Sequence, residues 1–191
     1  MLRIRFRLLM LLGVATLLIL LAPLTASTKS VQAQALAHSS AQFTVFATGL
    51  NNPRGLRFGP DGNLYVAEAG LGGTNSTIGQ CQQVPGPPGP GPVTGGFTSR
   101  ISKISSDGTR ITVIDHLPSS ITNPTVGSQI TGVADIQFID GTLYGMEGGA
   151  GCSHGLLHTN NTIFRVNSDG TRTNIANLSA FLKTHPVANP D

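Results

Sequence analysis

Two glutamates, Glu68 and Glu147, occupy matching places in the sequence, because each follows a Leu-Tyr pair by three residues. Carboxylates repeated in this way can line one face of a protein and supply the oxygen ligands that Ca²⁺ prefers. The alternative is that each carboxylate caps a loop or pairs with a cation such as Arg54. Both glutamates are therefore ligand-binding candidates. The sequence identifies no cofactor, and calcium is the metal that such a pair would suit.

Arg54 and Asp135 lie in the segments that lead into the same two stretches, shortly before Phe58 and Phe138. Connecting segments commonly carry binding residues, because the scaffold around them holds them in place. A salt bridge or a loop hydrogen bond is the structural alternative. We treat both charged residues as candidate ligand contacts.

The chain has two cysteines, Cys81 and Cys152. In an exported protein an even pair indicates one disulfide. The alternative is two unpaired thiols in surface loops. The disulfide requires a fold that brings these distant residues together.

Cys152 also begins a short cluster with His154 and His158, which are zinc-binding residue types. No fourth ligand is evident, and the disulfide is the preferred role for Cys152. The surrounding segment Gly151–Gly155 has the form Gly-x-Ser-x-Gly, as around nucleophilic serines. That motif works on a strand-turn-helix, and no helical pattern follows Ser153, so the match indicates no nucleophile.

Short hairpins are the elements that must position these residues. The stretch Asn52–Gly70 predicts two strands joined by a tight turn, because Asp caps locally and glycine accepts positive φ. Val133–Gly149 repeats this pattern, and a second hairpin follows each copy. The four turns contain Asp-Gly pairs that begin at Asp61, Asp107, Asp140 and Asp169.

Four short strands repeated at this period predict an all-β fold, a β-propeller of four-stranded antiparallel blades. Residues 42–50 resemble the outermost strand of each later unit, and a strand of that kind can close the ring by completing the last blade. Propellers have typically 4–8 blades. About two blades and a closing strand are recognisable here, so we expect an incomplete propeller. A fragment of this kind leaves an apolar sheet face uncovered.

The expected organisation is a signal peptide at 1–35, a linker at 36–41, a closing strand of the last blade at 42–50, blade 1 at 51–117, blade 2 at 118–180 and the truncated start of a third blade at 181–191.

The N-terminus has the layout of a secretory signal. Arg3, Arg5 and Arg7 precede an apolar run over Leu8–Leu24, and Ala33–Ala35 fits a cleavage site. The alternative is a retained N-terminal anchor. Both predict a secreted or extracytoplasmic protein. If the signal peptide is cleaved, no membrane contact is expected. Part of the formal charge of +3 comes from these arginines, so the charge indicates no nucleic-acid partner.

The segments Phe46–Leu56 and Phe58–Glu68 resemble the opening of the ScyD/ScyE family. These are exported propeller proteins named after members encoded with the cyanobacterial scytonemin pigment pathway. Asp140–Tyr144 and Phe164–Val166 fit the same pattern, and the resemblance covers about the first half of a full-length member. NHL-repeat proteins, gluconolactonase-like propellers and quinone-dependent sugar dehydrogenases share the Phe-x-Pro-Asp-Gly-x-Leu-Tyr-Val motif.

The resemblance implies an exported β-propeller scaffold that binds a small-molecule ligand or a protein partner on its central channel face. The alternative is a propeller enzyme, either a metal-dependent lactonase-like hydrolase or a quinone-dependent sugar dehydrogenase. The sequence leaves this choice open and identifies no catalytic residue. The candidate contacts to the ligand are Arg54, Glu68, Asp135 and Glu147.

Overall fold

The computed structural model describes residues 42–186, and within them nine strands form two antiparallel sheets. The strands of sheet 1 are, in spatial order, β1 (Pro53–Phe58), β2 (Leu64–Glu68), β3 (Thr94–Ile104), β4 (Arg110–Ile121) and β5 (Ile130–Thr131). Those of sheet 2 are β6 (Val133–Ile139), β7 (Thr142–Glu147), β8 (Thr162–Val166) and β9 (Arg172–Asn177). The expected all-β class is confirmed.

The four Asp-Gly pairs form the tight turns within the sheets. At Asp140 and Gly141 both residues have positive φ, 48° and 74°, which gives a two-residue turn suited to the twist of antiparallel strands. In the other three turns the Asp Oδ1 accepts a backbone N–H two residues ahead, which fixes the turn locally. These donors are the amides of Asn63, Thr109 and Thr171.

The hydrophobic core lies between the two sheets. Sheet 1 contributes Ala67, Ile101, Ile114 and Leu117, and sheet 2 contributes Val133, Ile136, Leu143 and Phe164. At the margin of this core the rings of Tyr65 and Phe138 meet edge to face, with centroids 4.8 Å apart. Each sheet therefore buries one face by covering its neighbour.

The two sheets have the same internal register. Ala67 lies opposite Ile101 in sheet 1, and Met146 lies opposite Ile163 at the matching place in sheet 2. The backbone contacts at the ends of the sheets repeat as well. The Ala69 amide donates to Asn52 O at 3.0 Å, and the Gly148 amide donates to Gly132 O at 2.9 Å. The sequence repeat is thus also a repeat of hydrogen bonds.

Residues 42–50, the expected closing strand, join no ladder in the described part of the chain, but Phe46 and Gly49 lie against sheet 1. A Cβ on the turn glycine Gly108 would be 2.6 Å from Phe46 O. In sheet 2 a Cβ on the equivalent glycine, Gly170, would be 3.7 Å from Val113 O of β4. The segment therefore approaches sheet 1 as β4 approaches sheet 2.

The fold differs from a simple pair of four-stranded sheets in two respects. Strand β4 continues to Ile121 and pairs with the short β5, so sheet 1 extends past residue 117. A seven-residue helix, α1 (Leu178–Thr184), follows β9, and the Asn177 side chain caps it by accepting the Ala180 amide at 2.9 Å. Asparagine at this position satisfies a helix amide that would otherwise lack a partner.

Over residues 42–186 no helix is long and apolar enough to cross a membrane. The signal peptide expected at 1–35, the linker at 36–41 and the end of the segment at 181–191 lie outside the described residues.

Gly55 sets the distance between strands β1 and β6. A Cβ at Gly55 would lie 2.9 Å from Asp135 Cα, which is too close for any side chain without a backbone shift. We expect Gly55→Ala to lower the free energy of unfolding by about 2 kcal/mol through overpacking. Urea unfolding followed by far-UV circular dichroism measures this.

Gly148→Ala is the matched control, because its nearest contact would be Gly132 O at an ordinary 3.4 Å. Equal stability of the Gly55 and Gly148 variants would contradict the close approach of the two strands.

Candidate functional site

Three long connections lie at the same end of the strands in both sheets, and we call this end the loop face. They are residues 69–93 between β2 and β3, 122–129 between β4 and β5, and 148–161 between β7 and β8. The Asp-Gly turns lie at the opposite end of the strands, which we call the turn face. Binding residues concentrate on loops that a rigid scaffold positions, so the loop face is the candidate site. The starts of β1 and β6 and the ends of β2 and β7 bring the sequence candidates to it.

A disulfide joins two of these loops. Cys81 and Cys152 are bonded, with their Cα atoms 6.3 Å apart, which confirms one of the two interpretations of the cysteines. The Thr77 hydroxyl donates to Cys152 O, and the Gln83 amide donates to Thr77 O at 3.0 Å. The loop after β2 and the loop after β7 are therefore held together by the disulfide and by the hydrogen bond from Thr77 to Cys152.

Glu68 is fully buried at the end of β2 and is satisfied by the protein itself. Arg100, directly across the ladder, donates through Nε at 2.9 Å and Nη2 at 2.8 Å. The Ser102 hydroxyl and the Asn51 amide also donate to this carboxylate. Burial raises the pKa of Glu68, but these hydrogen bonds outweigh burial and hold the pKa below its usual value. The salt-bridge alternative applies to Glu68, with Arg100 as the partner in place of Arg54.

Glu147 has the equivalent place in sheet 2 and the opposite environment. Its side chain is fully buried, and neither carboxylate oxygen has a hydrogen bond among the described residues. Arg172 Nη1 lies 3.6 Å from Oε2. Burial raises the pKa of Glu147 to about 8, and the charge of Arg172 opposes this only in part. At neutral pH this carboxyl is therefore largely protonated.

The difference between the two glutamates comes from two sequence differences between the repeats. Thr162 stands in sheet 2 where Arg100 stands in sheet 1, and Phe164 stands where Ser102 stands. Glu147 therefore lacks counterparts of the two side chains that donate hydrogen bonds to Glu68. The Thr162 hydroxyl is itself buried with no hydrogen-bond partner among the described residues, so no local donor replaces them.

Arg54 lies at the start of β1, exposed on the loop face. Its Nη2 donates to Ile130 O at 2.6 Å, and no carboxylate of residues 42–186 lies within ion-pair distance. The side chain borders a cavity of about 290 Å³ whose other walls include Gly132 and Gly148. The remaining guanidinium donors of Arg54 are available to a ligand.

Asp135 lies near the start of β6 and forms a surface ion pair. Its Oδ2 is 3.3 Å from Arg57 Nη2, and its Oδ1 accepts the Ile136 amide at 2.9 Å. Both charged side chains are nearly half exposed, so the pair contributes little to stability. Asp135 thus has a structural partner on the neighbouring strand.

The structure does not gather the sequence candidates into one cluster. Glu68 and Glu147 have separate partners, and in residues 42–186 no group of three or more His, Cys, Asp or Glu side chains is close enough to hold a metal ion. Of the proposed zinc cluster, Cys152 is in the disulfide, while His154 and His158 border a cavity beside it. The sequence patterns did not predict Arg100 as the partner of Glu68. The feature that could have indicated it is the difference between Arg100 and Thr162 at a position where the two repeats otherwise match.

No family model, no curated protein and no solved structure matches this chain in the comparisons with known proteins.

Glu147 predicts a specific dependence of stability on pH. Its pKa is about 8 in the folded state, so between its ordinary value of 4.5 and about 8 the folded state holds a proton that the unfolded state releases. The stability from this group is complete below pH 4.5 and is lost as the pH rises through 8. We expect the stability of wild type to fall by about 4 kcal/mol between pH 5 and pH 9 because of this group, and Glu147→Gln to remove that decline, as measured by urea unfolding. Parallel pH profiles of wild type and variant would contradict this.

Glu68→Gln is the contrasting variant at the equivalent position. It removes the charge that Arg100 needs, so we expect a loss of about 3 kcal/mol at pH 7. Because the pKa of Glu68 is lowered, the stability that it contributes is present above its ordinary pKa of 4.5 and is lost as the pH falls below that value. At neutral and alkaline pH, Glu147→Gln should therefore have a higher free energy of unfolding than wild type, and Glu68→Gln a lower one.

Removing the disulfide should weaken the fold. The bond closes a segment between residues 71 positions apart. We expect the double variant Cys81→Ser, Cys152→Ser to lose about 2–4 kcal/mol of unfolding free energy, because the unfolded chain regains conformational freedom. Urea unfolding measures the loss, and reduced wild type serves as the comparison. Unchanged urea midpoints in both would show that the bond adds no stability.

Proposed function

We propose that the chain is part of an exported β-propeller of the ScyD/ScyE type, which binds a small molecule carrying an anionic group on its loop face. The observation that carries the binding role is Arg54, an exposed cation beside a cavity with no carboxylate partner in the described part of the chain. Arginine suits this role because its planar donors match carboxylate and phosphate groups.

The propeller architecture is supported by the faces of the two sheets. In sheet 1 the face with Ala67 and Ile101 is covered by sheet 2, and both residues are fully buried. The equivalent residues of sheet 2, Met146 and Ile163, are 43% and 36% exposed and line an apolar groove of about 410 Å³. A further sheet of the same kind fits this face, because the equivalent positions at the same register already accept a sheet in sheet 1.

The closing strand is supported by the segment before β1. Gly49 has φ 74° one residue before Leu50, and His116 of β4 has φ 56° one residue before Leu117. The segment thus shares with β4 a positive φ one residue before the equivalent leucine, and the segment also lies against the sheet. Three inner strands from another repeat would complete a four-stranded sheet around it.

Export is supported by the disulfide between Cys81 and Cys152, because such bonds persist in oxidising compartments. The predicted signal peptide at 1–35 is consistent with the same location.

The binding role is tested with D-gluconate, a sugar acid small enough for the cavity beside Arg54. We expect gluconate to shift the backbone NMR signals of Thr131, Gly132, Ala134, Gly148 and Gly149, which line that cavity. Arg54→Gln should weaken the binding about tenfold, since it removes the cation. The control is Arg57→Gln on the same strand, because Arg57 is already paired with Asp135. Equal gluconate affinity of both variants and wild type would show that Arg54 does not take part in binding.

The enzyme alternative predicts different results. A metal-dependent lactonase-like hydrolase should be stabilised by CaCl₂ in a thermal-shift assay, because a cation that binds the folded state raises its stability. A quinone-dependent dehydrogenase should bind a quinone tightly. Neither effect is expected of the binding protein proposed here, and either one would favour the corresponding enzyme.

A further inference from the structure

A second cavity on the loop face lies beside the disulfide, and we call it the disulfide cavity. Its walls are Cys81 and Gln82, residues 150–154 and 158–161 of the loop after β7, and Ser179, Leu182 and Lys183 of the α1 region. Its volume is about 660 Å³, within the range of small-molecule sites. None of the sequence candidates for ligand contact borders this cavity.

The walls of the disulfide cavity are already fixed to one another. The Asn161 carbonyl accepts the Leu178 amide at 2.9 Å, and its side chain accepts the Ala150 amide at 2.9 Å. The Thr159 hydroxyl accepts the Gly151 amide at 2.8 Å. These bonds connect helix α1 to both ends of the loop after β7. A ligand would therefore meet a site that needs little ordering.

Among residues 42–186, the charged and ionisable side chains that line this cavity are all basic. They are Lys183, His154 and His158, and the described lining contains no Asp or Glu. The wider surface agrees, because the long connections 69–93, 122–129 and 148–161 contain no Asp or Glu, whereas each turn of the turn face has an Asp. An anion in the cavity would thus meet attraction from Lys183 and no repulsion from a lining carboxylate.

The two histidines of the cavity differ in burial. Burial lowers the pKa of His154, so that its ring is neutral at pH 7. Its Nδ1 lies 3.1 Å from the Ser153 hydroxyl, which orients the ring. His158 is exposed at the mouth of the cavity. Lys183 is therefore the fixed charge, and the rings supply hydrogen bonds.

The cavity also has an apolar portion. The disulfide, Ala150 and Leu182 form part of its wall and can cover a hydrocarbon skeleton. From this combination we infer that the disulfide cavity binds a small organic carboxylate, with Lys183 as the counter-charge and the disulfide wall against the carbon chain. The inference is independent of the ligand proposed for Arg54, whose cavity has different walls.

Succinate and its uncharged diamide, succinamide, are the matched probes, because they share a carbon chain and differ in charge. NMR titration of the oxidised protein with succinate should shift the backbone signals of residues 150–154, 158–161 and 179–183. Succinamide should leave them in place. Shifts spread over unrelated basic surfaces, or equal shifts with both probes, would overturn the inference.

Lys183→Gln should weaken succinate binding about tenfold, because it removes the fixed charge. The control is Lys103→Gln, since Lys103 lies 3.5 Å from Asp61 at the turn face. Arg54→Gln should leave succinate binding unchanged, which separates this site from the one proposed for gluconate. Unchanged affinity of the Lys183 variant would rule out the assigned counter-charge.

Reduction provides an independent measurement. Opening the bond between Cys81 and Cys152 removes one wall, so the reduced protein should bind succinate more weakly even where its circular dichroism shows that it remains folded. Equal affinity of the folded oxidised and reduced forms would exclude the disulfide from the site.

Discussion

The packing of sheet 1 against sheet 2 is the interaction on which the other features depend, because neither sheet covers both of its own faces. Phe164 is fully buried at this interface, and Gly145 on the neighbouring strand leaves room for its ring. A Cβ at Gly145 would lie 2.5 Å from the ring of Phe164. This packing aligns the loop edges of both sheets, and only that alignment lets the loops carrying Cys81 and Cys152 meet.

The same packing explains why one repeated glutamate is ionised and the other is not. Glu147 lies on the face of sheet 2 that packs against sheet 1, whereas Glu68 lies on the face of sheet 1 next to the segment before β1, and both side chains are fully buried. In sheet 1 that side carries polar partners, and Arg100 and Ser102 compensate the buried charge. In sheet 2 it carries Phe164, which improves the apolar contact between the sheets and leaves Glu147 without donors. Packing and charge compensation compete for the same positions.

Local features of this fold could be predicted from the sequence, and features that depend on long-range register could not. The hairpins followed from Asp-Gly pairs because the conformation of such turns is set within a few residues. The partner of Glu68 depends on how β2 pairs with β3 across residues 69–93, which no local pattern specifies. Helix α1 was not predicted, because a segment of seven residues is too short to show a clear helical period.

The disulfide has a consequence for the integrity of the backbone. Cys81 belongs to a loop of sheet 1 and Cys152 to a loop of sheet 2, so the bond spans the whole segment in which the chain passes from one sheet to the other. A protease that cuts once between these residues, for example in the exposed connection around Thr125, would leave the two fragments covalently attached. Such a nick would not by itself release half of the molecule.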